Sequence, residues 1–435
     1  MSALLDAAPA DFAGELVARA KAAGADAAQV RANQRHYFEV DFSARSIDLL
    51  RSLEDETAVI TIFRDGKRGT ATVNGREAET IETALASALV AAEAGVADPA
   101  NDVADAPSEP AKTYGPAASD RAVMIGAVET FMQDLSKLYP LIKTRNSVYS
   151  FTDSLTCFAN SRDVHQSQRR GAYQFGAMFS AKDGHKTTSF NYSGATSFEP
   201  FERLLSVGTI NRLLDETLRS FDRKPVPEKF VGDVIITPDC LSSLMPILAH
   251  ALSGAALFAG TTPYRESRGE MIASPLFSLF NRPRAADFPE GSDFDGVGVP
   301  TRDLDVVKSG LLADFLVDFY MSRKLSMPQT AGTWNFVVPG GNTTIEEIIR
   351  STQRGIIFSR FSGGYPNTNL DFTGVAKNSF YIEAGKVRHA LGETMVSGNF
   401  KDLLLNIHAV SRETVNFGDN SYPYLAASGV TISAR

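Results

Sequence analysis

The sequence predicts an α+β fold, with an N-terminal mixed α/β domain over residues 1–224 and a strand-rich, largely antiparallel C-terminal domain over residues 225–435. Three observations support this prediction. A helix-favouring run near the N-terminus gives way to β-rich runs, Pro225 and Pro227 interrupt the chain near its middle, and strand-like segments with glycine turns dominate the C-terminal half. A chain of 435 residues is long enough for two or three domains, each with its own core.

A helix followed by strands is predicted for the first hundred residues. Residues 10–23 are rich in Ala, Leu, Glu and Lys, and Gly24 stands where a C-cap glycine is expected. Residues 37–42 and 58–63 are β-rich runs. Residues 80–94 place their apolar side chains at helical spacing, which predicts a second helix.

The rest of the N-terminal half alternates between loop, helix and strand. Residues 95–120 have many Ala, Pro, Asp and Ser and no apolar period, so a loop or linker is predicted. Apolar spacing predicts helices over residues 121–138 and 201–221. Short strands are predicted at residues 147–151, 172–179 and 187–192.

The C-terminal half is predicted to consist mainly of strands, with one clear helix. A strand is predicted at residues 231–236. Residues 303–321 are interpreted as strands, because a Ser-Gly pair interrupts them and the apolar residues after that pair alternate. Thr343 and Glu346 have the spacing of a capping box, which predicts a helix that Gly355 closes.

Composition argues against several classes of protein. The formal net charge is −8, and a nucleic-acid binder gains its affinity from a basic surface, so no nucleic-acid partner is predicted. Hydrophobic residues make up 43% and charged residues 22%, which is ordinary for a globular protein. Cys157 and Cys240 fit neither a disulfide framework nor a CxxC metal motif, so both are predicted to be reduced and buried.

No membrane partner is predicted, and a cytoplasmic location is expected. The first residues lack the basic region and apolar core of a signal peptide. The longest apolar stretch, residues 241–259, is interrupted by serines, a proline and a histidine. A membrane span needs about 20 mostly apolar residues, so a buried helix and turn is the favoured interpretation.

A zinc-peptidase motif is missing from the sequence. A helical zinc site needs two histidines about one turn apart and a glutamate that activates water. The six histidines form neither HxxxH nor HxH; they are His36, His165, His185, His250, His389 and His408. A site assembled from distant histidines, or a Cys240–His250 pair, remains as an alternative.

Other catalytic signatures are also missing. The sequence has no GxSxG, no phosphate loop ending in GK[ST], and no GxGxxG that opens a helix after a strand. Glu290, Asp293 and Asp295 form an acidic cluster, but it lacks the spacing of a calcium loop, and a solvated loop is expected. The residues alone therefore indicate a two-domain α+β protein without a recognisable active site.

A series of phrases in the C-terminal half resembles the TldD/PmbA family, also described as modulators of DNA gyrase. Each phrase is a weak signal by itself, but the phrases together, in this order along the chain, are specific. In the N-terminal half, residues 24–28 and 63–69 fit the same family, so the resemblance covers nearly the whole chain. The C-terminal phrases lie at residues 295–302, 310–312, 335–340, 345–349, 355–357, 372–386 and 398–404.

The resemblance implies a protein that works as one half of a pair. In this family a TldD-type subunit with an HExxxH zinc motif pairs with a PmbA-type (TldE) subunit that lacks the motif, and the pair cleaves unfolded peptides and leader peptides. A Gly-Glu-x-x-Ala-Ser phrase follows the motif, and residues 269–274 resemble it. Counting back from this phrase places Met245, Pro246 and His250 at the motif positions, so only one histidine is retained.

The chain is therefore predicted to be the non-catalytic, substrate-holding subunit of a heterodimeric zinc metallopeptidase. Its implied partners are a TldD-like HExxxH subunit, which would carry the zinc, and an unfolded peptide. No catalytic or metal-binding residue is assigned to this chain. The alternative is a homodimeric protein-binding regulator without peptidase activity, and an autonomous hydrolase is a third possibility. Predicted substrate- or partner-binding residues are His250 (a possible relic of the zinc site), Arg302, Asn335, Gly363 and Gly364.

Overall fold

The computed structural model describes residues 9–364 and 366–434, which form two β-sheets with helices packed on them. The fold is α+β with mainly antiparallel sheets, as predicted. The elements up to residue 219 are α1 Pro9–Ala22, β1 Ala27–Phe42, β2 Ile47–Arg64, β3 Lys67–Asn74, α2 Ala78–Ala94, β4 Lys112–Tyr114, α3 Arg121–Leu138, β5 Ile142–Asn160, β6 His165–Asp183, β7 Lys186–Thr187, β8 Asn191–Ser197 and α4 Ile210–Arg219.

The first sheet has the strand order β3-β2-β1-β5-β6-β4, and β7 and β8 also pair with β6. All its pairings are antiparallel except that of β4 with β6. One face carries a row of aromatic and aliphatic side chains, including Phe42, Tyr149 and Phe175, which pack with α3 and α4. Helices α1 and α2 cover a second cluster near the start of β1.

The second sheet contains thirteen strands and surrounds most of the larger core. Its main path is β12-β11-β10-β13-β21-β9-β14-β17-β18, and parallel pairs such as β9 with β14 interrupt an otherwise antiparallel sheet. The elements are β9 Phe230–Ile236, α5 Pro238–Ala251, α6 Gly254–Ala259, β10 Leu279–Asn281, β11 Leu304–Lys308, β12 Leu311–Leu312, α7 Phe319–Leu325, β13 Phe336–Val337, α8 Ile345–Ser351, β14 Arg354–Phe358, β15 Arg360–Gly363, β16 Asp371–Lys377, β17 Phe380–Glu383, β18 Lys386–Ala390, β19 Thr394–Asn399, α9 Phe400–Leu405, β20 Ile407–Asn416 and β21 Ser421–Ala434.

Several element predictions are confirmed. Helix α3 spans the predicted residues 121–138 and begins with an Asp120 cap. Gly24, after α1, adopts a positive φ of 100°, as a C-cap glycine does. The apolar run at residues 241–259 forms α5 and α6, and no helix among the described residues is long and apolar enough to cross a membrane. Both cysteines are free and buried.

Other element predictions were wrong. The helix predicted over residues 201–221 is limited to α4, because Gly208 has a φ of 54° just before it. The segment at residues 95–120 includes the short strand β4. The strands predicted at residues 303–321 end early, because the side chain of Asp318 caps α7.

The C-terminal half contains five helices among the described residues, not one clear helix. Most are six or seven residues long, too short to leave an apolar period, and side chains such as Ser253 and Asn399 cap them. The capping box is formed by Thr344 and Glu347, one residue later than predicted.

Segments between residues 198 and 229 connect the two sheets. The predicted domain boundary at residue 225 lies here, although the backbone of Lys224 already bonds to Ala390 and Gly392 next to β18. That residues 1–224 and 225–435 form separate domains stays a prediction.

Candidate functional site

A cleft with a volume of about 970 Å³ lies between the two sheets. One side, called the sheet wall, is the face of the first sheet opposite to its aromatic core, and includes Tyr37, Gln174 and Tyr192. The other side, called the helix wall, comes from the second half of the chain. It consists of the start of α5, residues 359–360, Glu290 and the hairpin at residues 417–420. The cleft is large enough to hold several residues of an extended peptide.

The sheet wall follows from strand alternation. In β6, Phe175 and Ala177 are buried toward α3 and α4, so Gln174, Gly176 and Met178 point the other way, into the cleft. Paired residues of β5 and β8 face the same side, because antiparallel partners share a face. One face of a single sheet thus supplies an apolar core, and the other a mixed polar surface.

Helix α5 runs along the helix wall. Thr237 caps it by accepting a hydrogen bond from the backbone N–H of Cys240 at 3.3 Å. Its buried face, which includes Leu241 and Leu248, packs into the larger core. The opposite face is exposed, and Ser242 and Ser243 line the cleft. The exposed residues of this face, at helical spacing, are Ser242, Ser243, Pro246 and His250.

The side chains of α5 do not fit a zinc ion. Met245, at the position of the first motif histidine, is 1% exposed and belongs to the core. Pro246 offers no general base, and His250 is a single exposed imidazole. Among the described residues, no three His, Cys, Asp or Glu side chains are grouped so that they could hold a metal ion.

Two carboxylates, Glu290 and Asp419, form the acidic end of the cleft. The backbone N–H of Glu290 donates to the carbonyl of Gly418 at 3.1 Å, and Thr196 of β8 donates to Phe417 at 2.9 Å. These bonds fix the hairpin at residues 417–420 between β8 and the segment that carries Glu290. Neither carboxylate forms an ion pair with another described residue; the neighbouring Arg170 lies 3.8 Å from Asp293.

The pKa values of both carboxyl groups are raised. For Glu290, partial desolvation of a side chain that still faces the open cleft is the main cause, and the charge of Asp419 adds to it. Burial also raises the pKa of Asp419, against hydrogen bonds that favour its charged form. Glu290 nevertheless stays open to solvent. An ammonium or guanidinium group in the cleft would relieve the cost of these two negative charges.

Arg360 and Ser359 form the basic end. The guanidinium of Arg360 lies 4.3 Å from the ring centre of Phe190 and makes only long hydrogen bonds, of 3.3 and 3.4 Å, to Phe190 and Ser189. No acidic side chain pairs with it within the described ranges, and burial lowers its pKa. Ser359 is 5% exposed, and its hydroxyl has no hydrogen-bond partner in the described structure.

A buried ionic network joins the two halves of the chain behind the cleft. Arg212 of α4 forms ion pairs with Glu216, at 2.7 Å, and with Asp239 of α5. Thr209 donates its hydroxyl to Asp239 as well, and its Oγ1 shares a second hydrogen bond of 2.8 Å with the hydroxyl of Ser193 of β8. Burial opposes the charge of Arg212, but the carboxylates outweigh it and its pKa is raised. The negative charge of Asp239, where it faces the cleft, is therefore already compensated by Arg212.

None of the five residues predicted from the sequence lines the cleft. His250 is exposed further along α5. Arg302 lies beside a separate pocket of about 110 Å³ and donates to the carbonyl of Gln329 at 2.6 Å. Gly363 and Gly364 are exposed at the end of β15. Their assignment to substrate or partner binding stays a prediction.

Asn335 has a structural position beneath the acidic end. It is 5% exposed, and its side-chain amide donates to the carbonyls of Glu290, at 3.3 Å, and Asp419, at 3.1 Å. The amide thus joins the two segments that present the carboxylates.

The acidic cluster is not the solvated loop that was expected. Asp293 and Asp295 are 5% and 3% exposed. Asp293 accepts a hydrogen bond from Tyr114 at 2.7 Å, and Asp295 accepts bonds from two backbone N–H groups and from Gln329. Only Glu290 faces the cleft.

Similar proteins are known for the whole chain. Residues 229–434 match the family described as the PmbA/TldA metallopeptidase C-terminal domain. A protein called Metalloprotease PmbA homolog, from Haemophilus influenzae, is 22% identical over 418 residues, which cover 92% of this chain and 90% of that protein. Over nearly its full length, then, the chain has relatives named as metalloproteases.

Two solved structures share the fold. A putative modulator of DNA gyrase from Bacteroides thetaiotaomicron has a TM-score of 0.86 at 20% identity and covers 98% of both chains. TldE from Thermococcus kodakarensis has a TM-score of 0.82 at 19% identity and covers 97% of this chain and 99% of its own. The chain shares its fold with these structures, and its C-terminal half matches a domain described as that of a metallopeptidase family. The resemblance to the TldD/PmbA family drawn from the sequence phrases is confirmed, over residues 229–434 by the family's C-terminal domain and over 92% of the chain by a PmbA homolog.

Proposed function

We propose that this chain is the non-catalytic, substrate-holding subunit of a TldD/TldE-type heterodimeric zinc metallopeptidase that degrades unfolded peptides or leader peptides. The observation that carries the proposal is the exposed face of α5 beside the cleft. It presents Ser242, Ser243, Pro246 and His250 where a helical zinc site needs two histidines and a glutamate. The cleft next to it is wide enough for an extended peptide.

The cleft has the chemistry of a peptide site. Its sheet wall combines polar groups, such as Gln174 and its β5 partner Ser150, with the exposed aromatic rings of Phe190 and Tyr192 at the rim. Polar groups of this kind can pair with the main chain of an extended peptide, and aromatic rings can pack against it. Zinc and the water that attacks the peptide bond would come from the partner subunit.

An exposed strand edge supports association with another chain. Strand β3 pairs with residues 57–64 of β2, while residues 47–56 have a strand partner only on the β1 side among the described residues. Leu49, Leu50 and Leu53 on this edge are 44%, 52% and 39% exposed. An unpaired edge with exposed apolar residues is a common site of pairing with another protein.

The position of this edge favours the HExxxH subunit as its occupant. Leu49 and Leu53 lie opposite Asp41 and Tyr37 of β1, and antiparallel partners share a face of the sheet. Tyr37 lines the cleft, so the two leucines continue the sheet wall outward. A subunit bound at residues 47–56 would border the cleft, close enough to reach a peptide held there.

Co-expression with the HExxxH relative tests this function. We expect the purified chain alone to contain no stoichiometric zinc and to leave an unstructured peptide intact, and the co-expressed pair to contain zinc and to cleave it. Replacing both Leu49 and Leu53 by Asp is expected to prevent co-purification, because two charges would be buried without partners at the interface. Val90→Asp, on an exposed position of α2, is the matched control and should leave the pair intact.

Two outcomes would overturn the proposed function, and a third would overturn only the position of the interface. Zinc together with chelator-sensitive cleavage by the chain alone would make it an autonomous hydrolase. A stable homodimer that neither associates with the relative nor changes its activity would favour the protein-binding regulator. A pair that forms equally well with the two Asp substitutions would retain the function but move the interface away from β2.

A further inference from the structure

The two ends of the cleft carry opposite charges that form no ion pairs within the described chain. Glu290 and Asp419 lie at one end and Arg360 at the other. The other charged side chains that line the cleft form ion pairs. Glu39 pairs with Arg51 at 2.7 Å, and Asp239 pairs with Arg212.

Strand β8 sets the distance between the ends. Its beginning adjoins the basic end, since the Arg360 guanidinium lies over the ring of Phe190. Near its other end, the backbone N–H of Thr196 donates to Phe417 beside Asp419. Six residue steps at about 3.3 Å each separate Phe190 from Thr196, or about 20 Å. An extended peptide of about six residues has the same length.

The basic end also has an unsatisfied hydroxyl. Ser359 is 5% exposed, lines the cleft and offers an Oγ without a hydrogen-bond partner in the described structure. Its carbonyl accepts a bond from Thr237, the cap of α5, so Ser359 lies next to the positive end of that helix dipole. A buried hydroxyl, a guanidinium without a counter-ion and a helix N-terminus together suit a carboxylate.

We propose that the cleft binds an extended peptide in one direction, with its carboxylate at Arg360 and Ser359 and its cationic group at Glu290 and Asp419. The carboxylate is a C-terminal group or an Asp or Glu side chain, and the cation is an N-terminal ammonium or a Lys or Arg side chain. The inference rests on the proposed function only in taking a peptide as the ligand. It adds the polarity and the spacing that this ligand must have.

Binding of modified hexapeptides to the full chain alone tests the direction. The probe is a hexapeptide of Ala and Ser residues with a fluorophore on a central side chain, and the dissociation constant is measured by anisotropy. Amidation of its C-terminus is expected to weaken binding about ten-fold, and acetylation of its N-terminus to do the same, because each removes one charge-assisted contact. Two further peptides test whether a side chain can replace a terminus as the source of charge. One is acetylated and has Lys at its first position, and the other is amidated and has Asp at its last position. Restored affinity would show that the side-chain charge is sufficient.

Two variants assign each effect to an end of the cleft. Arg360→Gln should weaken binding of the peptide with unmodified termini about ten-fold. Amidation should then have no further effect on its binding, while acetylation should still weaken it. Glu290→Gln should do the reverse. Arg265→Gln and Glu346→Gln, both exposed and outside the cleft, are the matched controls and should bind like the parent chain.

Two results would overturn the inference. If amidation weakens binding to Arg360→Gln as strongly as to the parent chain, Arg360 does not bind the carboxylate. If no peptide binds saturably, the cleft does not hold peptides without the partner, and the inference fails as stated. Zinc content and cleavage by the co-expressed pair are measured separately, so either failure is distinguishable from failure of the proposed subunit role.

Discussion

The two walls of the cleft are built in different ways. The sheet wall is the regular face of long antiparallel strands, where alternation decides which side chains enter the cleft. The helix wall is an assembly of a helix start, a strand junction and a hairpin, which meet only through long-range contacts. The unpaired charges, Glu290, Asp419 and Arg360, all belong to the helix wall. Regular structure thus supplies the shape of the site, and irregular structure supplies its chemistry.

The comparison also shows where the site depends on contacts between the walls. The sheet wall is supported by its own ladder and by its aromatic core. The helix wall is held against it by the Arg212 network and by the hairpin at residues 417–420. Substitutions at these two contacts should therefore disturb the helix wall first.

The largest effect is expected from breaking the ionic network with Arg212→Met. This change leaves Glu216 and Asp239 buried without their cation, and loss of one partner of a buried pair costs about 3 kcal/mol or more. The midpoint of urea unfolding, followed by circular dichroism, measures the loss. Arg219→Met, on an exposed position of the same helix, should change the midpoint little. Equal shifts for the two variants would mean that the network does not stabilise the contact between the walls.

A smaller loss is expected from Gly418→Ala. Gly418 has a φ of 94°, and an added Cβ would lie 2.4 Å from the carbonyl oxygen of Thr196 on the sheet wall. Backbone strain and this clash together should cost about 2 kcal/mol and loosen the hairpin. Hydrogen exchange of the amides at residues 416–421 should then become faster.

Gly184→Ala is the matched control for this substitution. Gly184 also has a positive φ, of 54°, but a Cβ there meets nothing within 4 Å. It should therefore cost only about 1 kcal/mol of backbone strain. If both substitutions cost the same, the contact between hairpin and sheet wall contributes nothing.

The smallest effect concerns the pH dependence of stability. Because burial raises the pKa of Asp419, the folded chain binds more protons at this site than the unfolded chain does. Its contribution to stability is therefore favourable at low pH and is lost as pH rises from the unfolded value of about 4 toward the raised folded value. Asp419→Asn should remove this loss, so that its melting temperature rises relative to the parent chain as pH increases.

Asp371 provides a control of opposite sign. Hydrogen bonds from Asn399 and Asn367 lower its pKa, so its contribution is present above the unfolded value and is lost as pH falls. Asp371→Asn should accordingly lose melting temperature relative to the parent chain as pH increases. Parallel pH profiles for the two variants would contradict the assignment of the two pKa shifts.

The sequence predicted those helices and strands best whose stabilising interactions lie within their own residues. Helix α3 has its cap and its apolar period within its own residues, and its bounds agree with the prediction. Strands β1 and β2 were predicted too short, because residues 27–36 and 47–57 lack the continuous β-rich runs of residues 37–42 and 58–63. Cross-strand pairs such as Arg35 with Asp55, at 2.6 Å, extend the ladder there, and pairing of this kind depends on a distant segment.

The site was not predictable in the same way. Glu290, Arg360 and Asp419 lie far apart in sequence, and each becomes part of the cleft only when its segment packs against β8. Asn335 was singled out from a family phrase, and in the structure its side-chain amide makes two hydrogen bonds beneath the acidic end. Of the charged groups at the two ends of the cleft, only Glu290 left a sequence signal, as part of the acidic cluster.

The buried face of α5 gives the chain an internal reporter of motion. Cys240 lies on it at 1% exposure, and burial raises the pKa of its thiol, so the sulfur stays protonated and out of reach of alkylating reagents in the closed molecule. Modification then requires that the start of α5 lifts from the core. The alkylation rate of Cys240 would therefore measure how often the start of α5, the helix that borders the cleft, opens locally.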